Sequence, residues 1–289
     1  MSPSPSAVAA GRSGPAAAVA FAVVGVLASL LGQPALVFPV LTAQVLMVLG
    51  FYSLIAVPGR DLGVALAVGC GFVGDIAMVV RGDDPSLGPL AGVLGPAVLG
   101  AVAIQILRRD GRERLTASIT ATCTAVVLSV LGATLVAERG SAHGATVTVV
   151  AVIAAGATTA VLASPMRAEV ADAIAIPAAV LLALVLAGPV GDLAFWHVLV
   201  IAVAAAVLAA AGRRAAAFAA YDLTQSAAAA AAAAAPAEPS AGRAAARAAR
   251  RAAAREARRT GEAILVLGSA LPFVLAAPAS YVLGRLLVG

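Results

Sequence analysis

The chain reads as long apolar runs separated by short polar breaks. The runs fall near residues 16–31, 35–57, 62–80, 87–107, 115–137, 145–163, 173–190, 193–211 and 263–288. A helix rises about 1.5 Å per residue and needs about 20 residues to cross the ~30 Å hydrocarbon layer, and most of these runs have that length. Inside them the apolar residues, chiefly Ala, Leu and Val, follow one another without the period-two alternation of a barrel strand. Only helices and closed barrels satisfy their backbone groups in lipid. The pattern therefore predicts an all-α fold, a polytopic transmembrane helix bundle of about nine spans. The first run is short, but it has no convincing cleavage site and a second run follows at once, so it reads as a retained anchor.

Composition agrees with that solvent. The 289 residues are 62% apolar and 11% charged, where a soluble domain has roughly half and a quarter. The charges are bunched in the breaks, which divides the chain into four parts: a short disordered N-terminal segment (1–15), an eight-span bundle (16–212), a polar Ala/Arg-rich loop (213–261) and a ninth span (262–289).

The distribution of arginine sets the sidedness. All 19 basic residues are Arg, and cytoplasmic loops accumulate such residues. With the N-terminus inside, the inner segments hold Arg12, Arg60, Arg108, Arg109, Arg112, Arg114, Arg167, Arg213, Arg214, Arg243, Arg247, Arg250, Arg251, Arg255, Arg258 and Arg259. Only Arg81, Arg139 and Arg285 fall outside. The expected topology is N-terminus cytoplasmic and C-terminus outside, in a plasma (inner) membrane. The two faces are called below the arginine-rich and arginine-poor ends.

Among polar residues placed in lipid, Asp75 stands out, because a carboxylate in hydrocarbon costs several kcal/mol unless it is paired, protonated or wet. It follows Gly69-Cys70-Gly71-Phe72-Val73-Gly74. That string has the spacing of a dinucleotide fingerprint but lacks the preceding strand and the later acidic residue. Gly71 and Gly74, and likewise Gly88 and Gly92, read instead as helix-packing positions. For Asp75 itself two readings stand. It lies near the outer end of its span and can reach the interface, or it faces a cavity and binds a proton or cation with Gln44 and Gln105 as polar partners. Pro39, Pro96, Pro177, Pro272 and Pro278 fall within spans and each removes a backbone donor.

The loop at 213–261 ends in a basic helix. Arg243, Arg247, Arg250, Arg251, Arg255, Arg258 and Arg259 fall on about half its circumference, opposite alanines. Beside a membrane such a stripe is attracted to anionic lipid head groups, while a spacer or orienting role needs nothing more than the composition. It has no interleaved aromatics or reading motif for nucleic acid. His143 and His197 lack metal-ligand company and Trp196 reads as an interfacial anchor. Cys70 and Cys123 lie within spans as small packing residues. No cofactor, metal, ATP-binding or catalytic motif appears.

This Ala/Val/Arg-heavy, lysine-free sequence resembles, in composition across its whole length, multi-pass membrane proteins of high-GC bacteria. The resemblance implies a membrane location and carries no functional residue over. Two functions remain in view. The first is a permease-like or transport-associated subunit, favoured by Asp75, the membrane glutamines and the prolines. The second is a non-catalytic scaffold or assembly factor whose arginine helix meets lipid or a membrane protein partner. A membrane enzyme is disfavoured by the scarcity of polar groups at the outer surface. A reporter fused after Gly289 is expected to report a non-cytoplasmic location; cytoplasmic activity from that fusion overturns the topology.

Overall fold

The computed structural model describes residues 5–55, 57, 59–82, 86–107, 115–187, 193–233 and 243–288. Every regular element among them is an α-helix: α1 (Pro5–Leu31), α2 (Gln33–Leu54), α3 (Arg60–Arg81), α4 (Gly88–Leu107), α5 (Leu115–Gly132), α6 (Thr134–Arg139), α7 (Gly144–Leu162), α8 (Ala168–Ala187), α9 (Phe195–Ala233) and α10 (Arg243–Leu287). Among the described residues eight helices are long and apolar enough to cross a membrane, α5 and α6 counting as one, and the apolar stretch Pro15–Leu31 makes a shorter ninth. The expected bundle is present: this is a multi-helix membrane protein.

Three boundaries differ from the sequence reading. α1 begins at Pro5, so residues 5–15, expected to be disordered, extend the helix. Proline suits a first turn and Ala7, Ala9 and Ala10 are strong helix formers. The fifth span is interrupted by a turn at Ala133 and runs on to Arg139, beyond the expected end at 137. The loop at 213–261 is largely the continuation of two spans: α9 reaches Ala233, and the arginine segment and the last span are one 45-residue helix, about 68 Å long. Residues 234–242 between them, with the Pro236 to Ser240 break, lie outside the described residues.

Alternating helices bring like ends together. α7 is the most enclosed span, packed on α1, α8, α9 and α10, while α4 and α8 are the most peripheral. α3, α4 and α5 form a second group, which α2 joins to α10. Large side chains such as Leu99, Leu181 and Val185 are exposed, as a lipid-facing surface requires. On α9 exposed aromatics mark both interfaces: Phe195 with Trp196 at one end, Phe218 with Tyr221 at the other. Trp196 and Tyr221 are 25 residues and so about 37 Å apart along the axis, a length that exceeds the ~30 Å hydrocarbon layer.

Helix ends leave carbonyls without partners, and in a membrane protein side chains must supply donors. Gln33 Nε2 donates to Met78 O (3.2 Å) and Val136 O (3.0 Å), in the last turns of α3 and α6. Arg139 Nε donates to Ser29 O (2.7 Å) in the last turn of α1. All three arginines of the arginine-poor end, Arg81, Arg139 and Arg285, lie in the last turns of helices that finish there, where a cation complements the helix dipole. Their position has a local electrostatic cause. At the other end Arg214 pairs with Asp172 (3.2 Å).

The prolines sit inside continuous helices, and one of the freed carbonyls is answered explicitly. Pro272 cannot donate to Gly268 O, four residues earlier. Arg213 Nη1 of α9 donates to it instead, at 3.3 Å. The preceding Gly212 lets α9 close on this point: a methyl there would meet Pro272 Cα and N at 3.4 Å and Leu275 Cδ1 at 3.0 Å. Replacing Arg213 with Met is expected to destabilise the purified protein by about 1–3 kcal/mol, the cost of an unsatisfied buried acceptor. In a Pro272→Ala background, where the helix regains its own donor, the same change should cost less than half as much. Equal losses in the two backgrounds, by thermal unfolding in detergent, refute the pairing.

Candidate functional site

Asp75 does not reach the outer interface. It is completely buried, between α2, α3 and α5, although its position six residues before the end of α3 puts it only about 9 Å from the arginine-poor end. Gln44, also fully buried and near the middle of α2, donates from Nε2 to Asp75 Oδ1 at 3.1 Å. Asp75 Oδ2, Gln44 Oε1 and Ser129 Oγ are buried without a hydrogen-bond partner. Seven such side-chain atoms occur among the described residues, and three of them meet here.

Two glycines make this meeting possible. A methyl at Gly71 would meet Gln44 Oε1 at 2.6 Å and Ser129 Oγ closer still. A methyl at Gly132 would meet Gln44 Cγ and Nε2 at 3.0 Å. The amide of Gln44 thus lies along α3 from Gly71 to Asp75, one turn apart, with Ser129 beside it. Across Gly132 lies a cavity of about 20 Å³ walled by apolar groups including Ala43, Leu135, Val152 and Phe273. A space of that size holds one water at most.

A similar arrangement recurs two turns toward the arginine-rich end. Tyr52 of α2 donates its hydroxyl to Thr122 Oγ1 of α5 (3.0 Å), and Thr122 donates to Ser118 O (2.8 Å). Both lie over Gly63 of α3, whose bare Cα they approach. The spacings are eight residues on α2 (44 to 52), eight on α3 (63 to 71) and seven on α5 (122 to 129). Each rung joins a long polar side chain, a glycine and a hydroxyl. The repeat of about 11 Å follows from two turns of helix.

The other expected partners fall elsewhere. Gln105 is buried, but it lies two residues from the arginine-rich end of α4, so helix rise alone separates it from Asp75 by roughly 20 Å. A methyl at Gly74 would meet Leu90 Cδ2 at 3.3 Å and Ala133 Cβ at 3.4 Å. Gly88 meets only its neighbour Ser86, and a methyl at Gly92 would enter open space. These two do not bring helices together; Gly92 lines a lipid-side groove between α3 and α4 with Gly69, Cys70 and Pro96. Arg243, Arg247, Arg250, Arg251, Arg255, Arg258 and Arg259 lie on the helical backbone of α10, and their side chains are outside the described residues.

A second buried carboxylate escaped the sequence reading. Glu138 is 1% exposed, accepts from Ser141 Oγ on Oε1 at 3.3 Å, leaves Oε2 unpartnered, and packs its carboxyl group over Gly284. Ending the fifth span at 137 assigns Glu138 to an outer loop; the helix instead runs on through Arg139 and Glu138 is buried within it. Among the described residues no group of His, Cys, Asp and Glu has metal-binding geometry, and both cysteines are free.

No family model, curated protein or solved structure matches this chain.

The site predicts opposite outcomes for two glycines of one helix. Gly71→Ala should displace Gln44 or Ser129 and cost about 1–3 kcal/mol, as overpacking does. Gly69→Ala, with nothing within 4 Å, should stay within about 0.5 kcal/mol of the parent. Thermal unfolding in detergent distinguishes them, and equal behaviour contradicts the packing described.

Proposed function

We propose that this protein is a permease-like or transport-associated membrane subunit whose working site is the buried Asp75–Gln44–Ser129 cluster, binding a proton or small cation. The observation that carries the reading is a carboxylate buried in a membrane bundle with one oxygen unpartnered beside two further unpartnered oxygens. Uncompensated polar groups in hydrocarbon are costly, and structures that retain them usually use them for ions or protons. The neighbouring rung of Tyr52 and Thr122 extends the polar face of α2, α3 and α5 toward the arginine-rich end. No ATP-binding loop occurs in the sequence, so movement would draw on an ion gradient or on a partner subunit.

The protein reconstituted in liposomes, under an imposed proton gradient read by an internal pH-sensitive dye and under an imposed sodium gradient read by an internal sodium-sensitive dye, should carry a flux above that of empty vesicles in at least one of them. Asp75→Asn is expected to reduce that flux to the background while leaving insertion and thermal stability near the parent. Undiminished flux in the Asn variant removes Asp75 from the function. A parent protein that carries no flux in either gradient favours the scaffold reading, for which the long helical extensions of α9 and α10 beyond the membrane are the supporting observation.

A further inference from the structure

The cluster at Asp75 discriminates between the two ligands left open above. The bond from Gln44 Nε2 to Asp75 Oδ1 places an amide beside a carboxyl group, with the amide oxygen Oε1 and the second carboxyl oxygen Oδ2 both unsatisfied. With Asp75 ionised, Oδ2 and Oε1 are two acceptors, and neither can serve the other. One proton on Oδ2 changes this. The acid then donates to the amide oxygen while the amide donates to the acid, so a single proton supplies what both orphan oxygens lack. Ser129 Oγ lies over the same glycine but makes no hydrogen bond to Oε1. Two of the three unpartnered atoms are then accounted for without any further ligand; Ser129 Oγ stays without a partner.

A metal cation fits the cluster poorly. Hard cations take about six oxygen ligands, and three unpartnered oxygens converge here. The adjoining cavity beyond Gly132 adds only apolar walls. Gly71 and Gly132 are already pressed against Gln44 and Ser129, so the interior holds no hydration shell between them. Among the described residues no ion pair reaches Asp75, whose own helix carries Arg60, Asp61, Cys70 and Arg81. α3 packs against α2, α4, α5 and α6. The titratable groups they carry are Tyr52, bonded to Thr122; Cys123; Glu138, against Gly284; and Arg139, bonded to Ser29 of α1. α4 carries none.

We propose that the ligand of this site is a proton, held on Asp75 and shared with the side-chain oxygen of Gln44, and that the site excludes metal cations. The proposal deepens the transport reading and rests on Asp75 being its working group, but its test needs no flux. The full-length protein in lipid nanodiscs, carrying 13C-labelled aspartate, is examined by infrared difference spectroscopy at neutral pH. A protonated, hydrogen-bonded carboxylic C=O stretch is expected. It should disappear in Asp75→Asn and keep its place and intensity when saturating Na+ or K+ is added. Gln44→Ala, which keeps the carboxyl group and removes its acceptor, should move the band toward that of a free acid; this variant serves if the Asn protein does not fold. An Asp75 carboxylate band in the parent, loss of the acid band on adding either cation, or a band indifferent to Gln44→Ala overturns the assignment. A protonated Asp75 in a protein that carries no flux leaves the proton site standing and removes the transport reading. Flux through a protein whose Asp75 is ionised does the reverse.

Discussion

Water cannot complete an unfinished hydrogen bond inside a bilayer, and the structure is organised around that shortage. The backbone meets it by being helical nearly throughout the described residues. What remains are the places where a helix stops or a proline intervenes, and there the protein spends its few polar side chains. Gln33 serves the ends of two helices at once, Arg139 the end of a third, and Arg213 the carbonyl that Pro272 deprives of its donor. Each is a long side chain that crosses from one helix to another, so satisfying the backbone also fixes which helices are neighbours. In a bundle whose spans are mostly Ala, Val and Leu, and therefore nearly interchangeable as packing surfaces, such contacts supply register.

Against that background the cluster at Asp75 is an exception. Its atoms serve no helix end, and three of them are left incomplete. Glycines at 71 and 132 hold the helices close enough to bury the group, where larger residues would have pushed Gln44 and Ser129 away. The same construction at Tyr52, Gly63 and Thr122 closes fully, with the hydroxyls bonded to one another and to Ser118 O. Two rungs of one design, one satisfied and one not, argue that the deficit at Asp75 does not follow from the way these helices pack.

The spans, their number and the grouping of their ends were legible in the sequence because length, apolar continuity and arginine placement are one-dimensional signals. Asp75 was legible as a charge out of place, and Gln44 as its partner, since both interrupt runs of hydrocarbon. Its depth was not, because distance from the end of a helix says nothing about what covers the side. Gln105 was assigned by proximity in composition, whereas α4 runs antiparallel and carries it to the opposite end. Ser129 was hidden because a serine in a membrane helix has no anomaly of its own; only the spacing 118, 122, 129 on one face of α5 could have revealed it. Glu138 was lost through a boundary drawn at 137. Gly88 and Gly92 show that small-residue spacing permits close contact without requiring it.

The long helices alter how the two functional readings relate. Had the arginine segment been a separate surface helix on a flexible tether, its attachment to lipid or to a partner would have been independent of the bundle. It is instead continuous with the last span, which contacts α2 and α5, the two helices that carry Gln44 and Ser129, and which is tied to α9 where Arg213 meets Gly268. A helix transmits rotation and tilt along its axis far better than a loop does. The arginine-bearing end and the helices that close around Asp75 are therefore joined by one continuous helix rather than by a loop. The two readings, posed as rivals by the sequence, thus call on parts of the protein that a single helix joins.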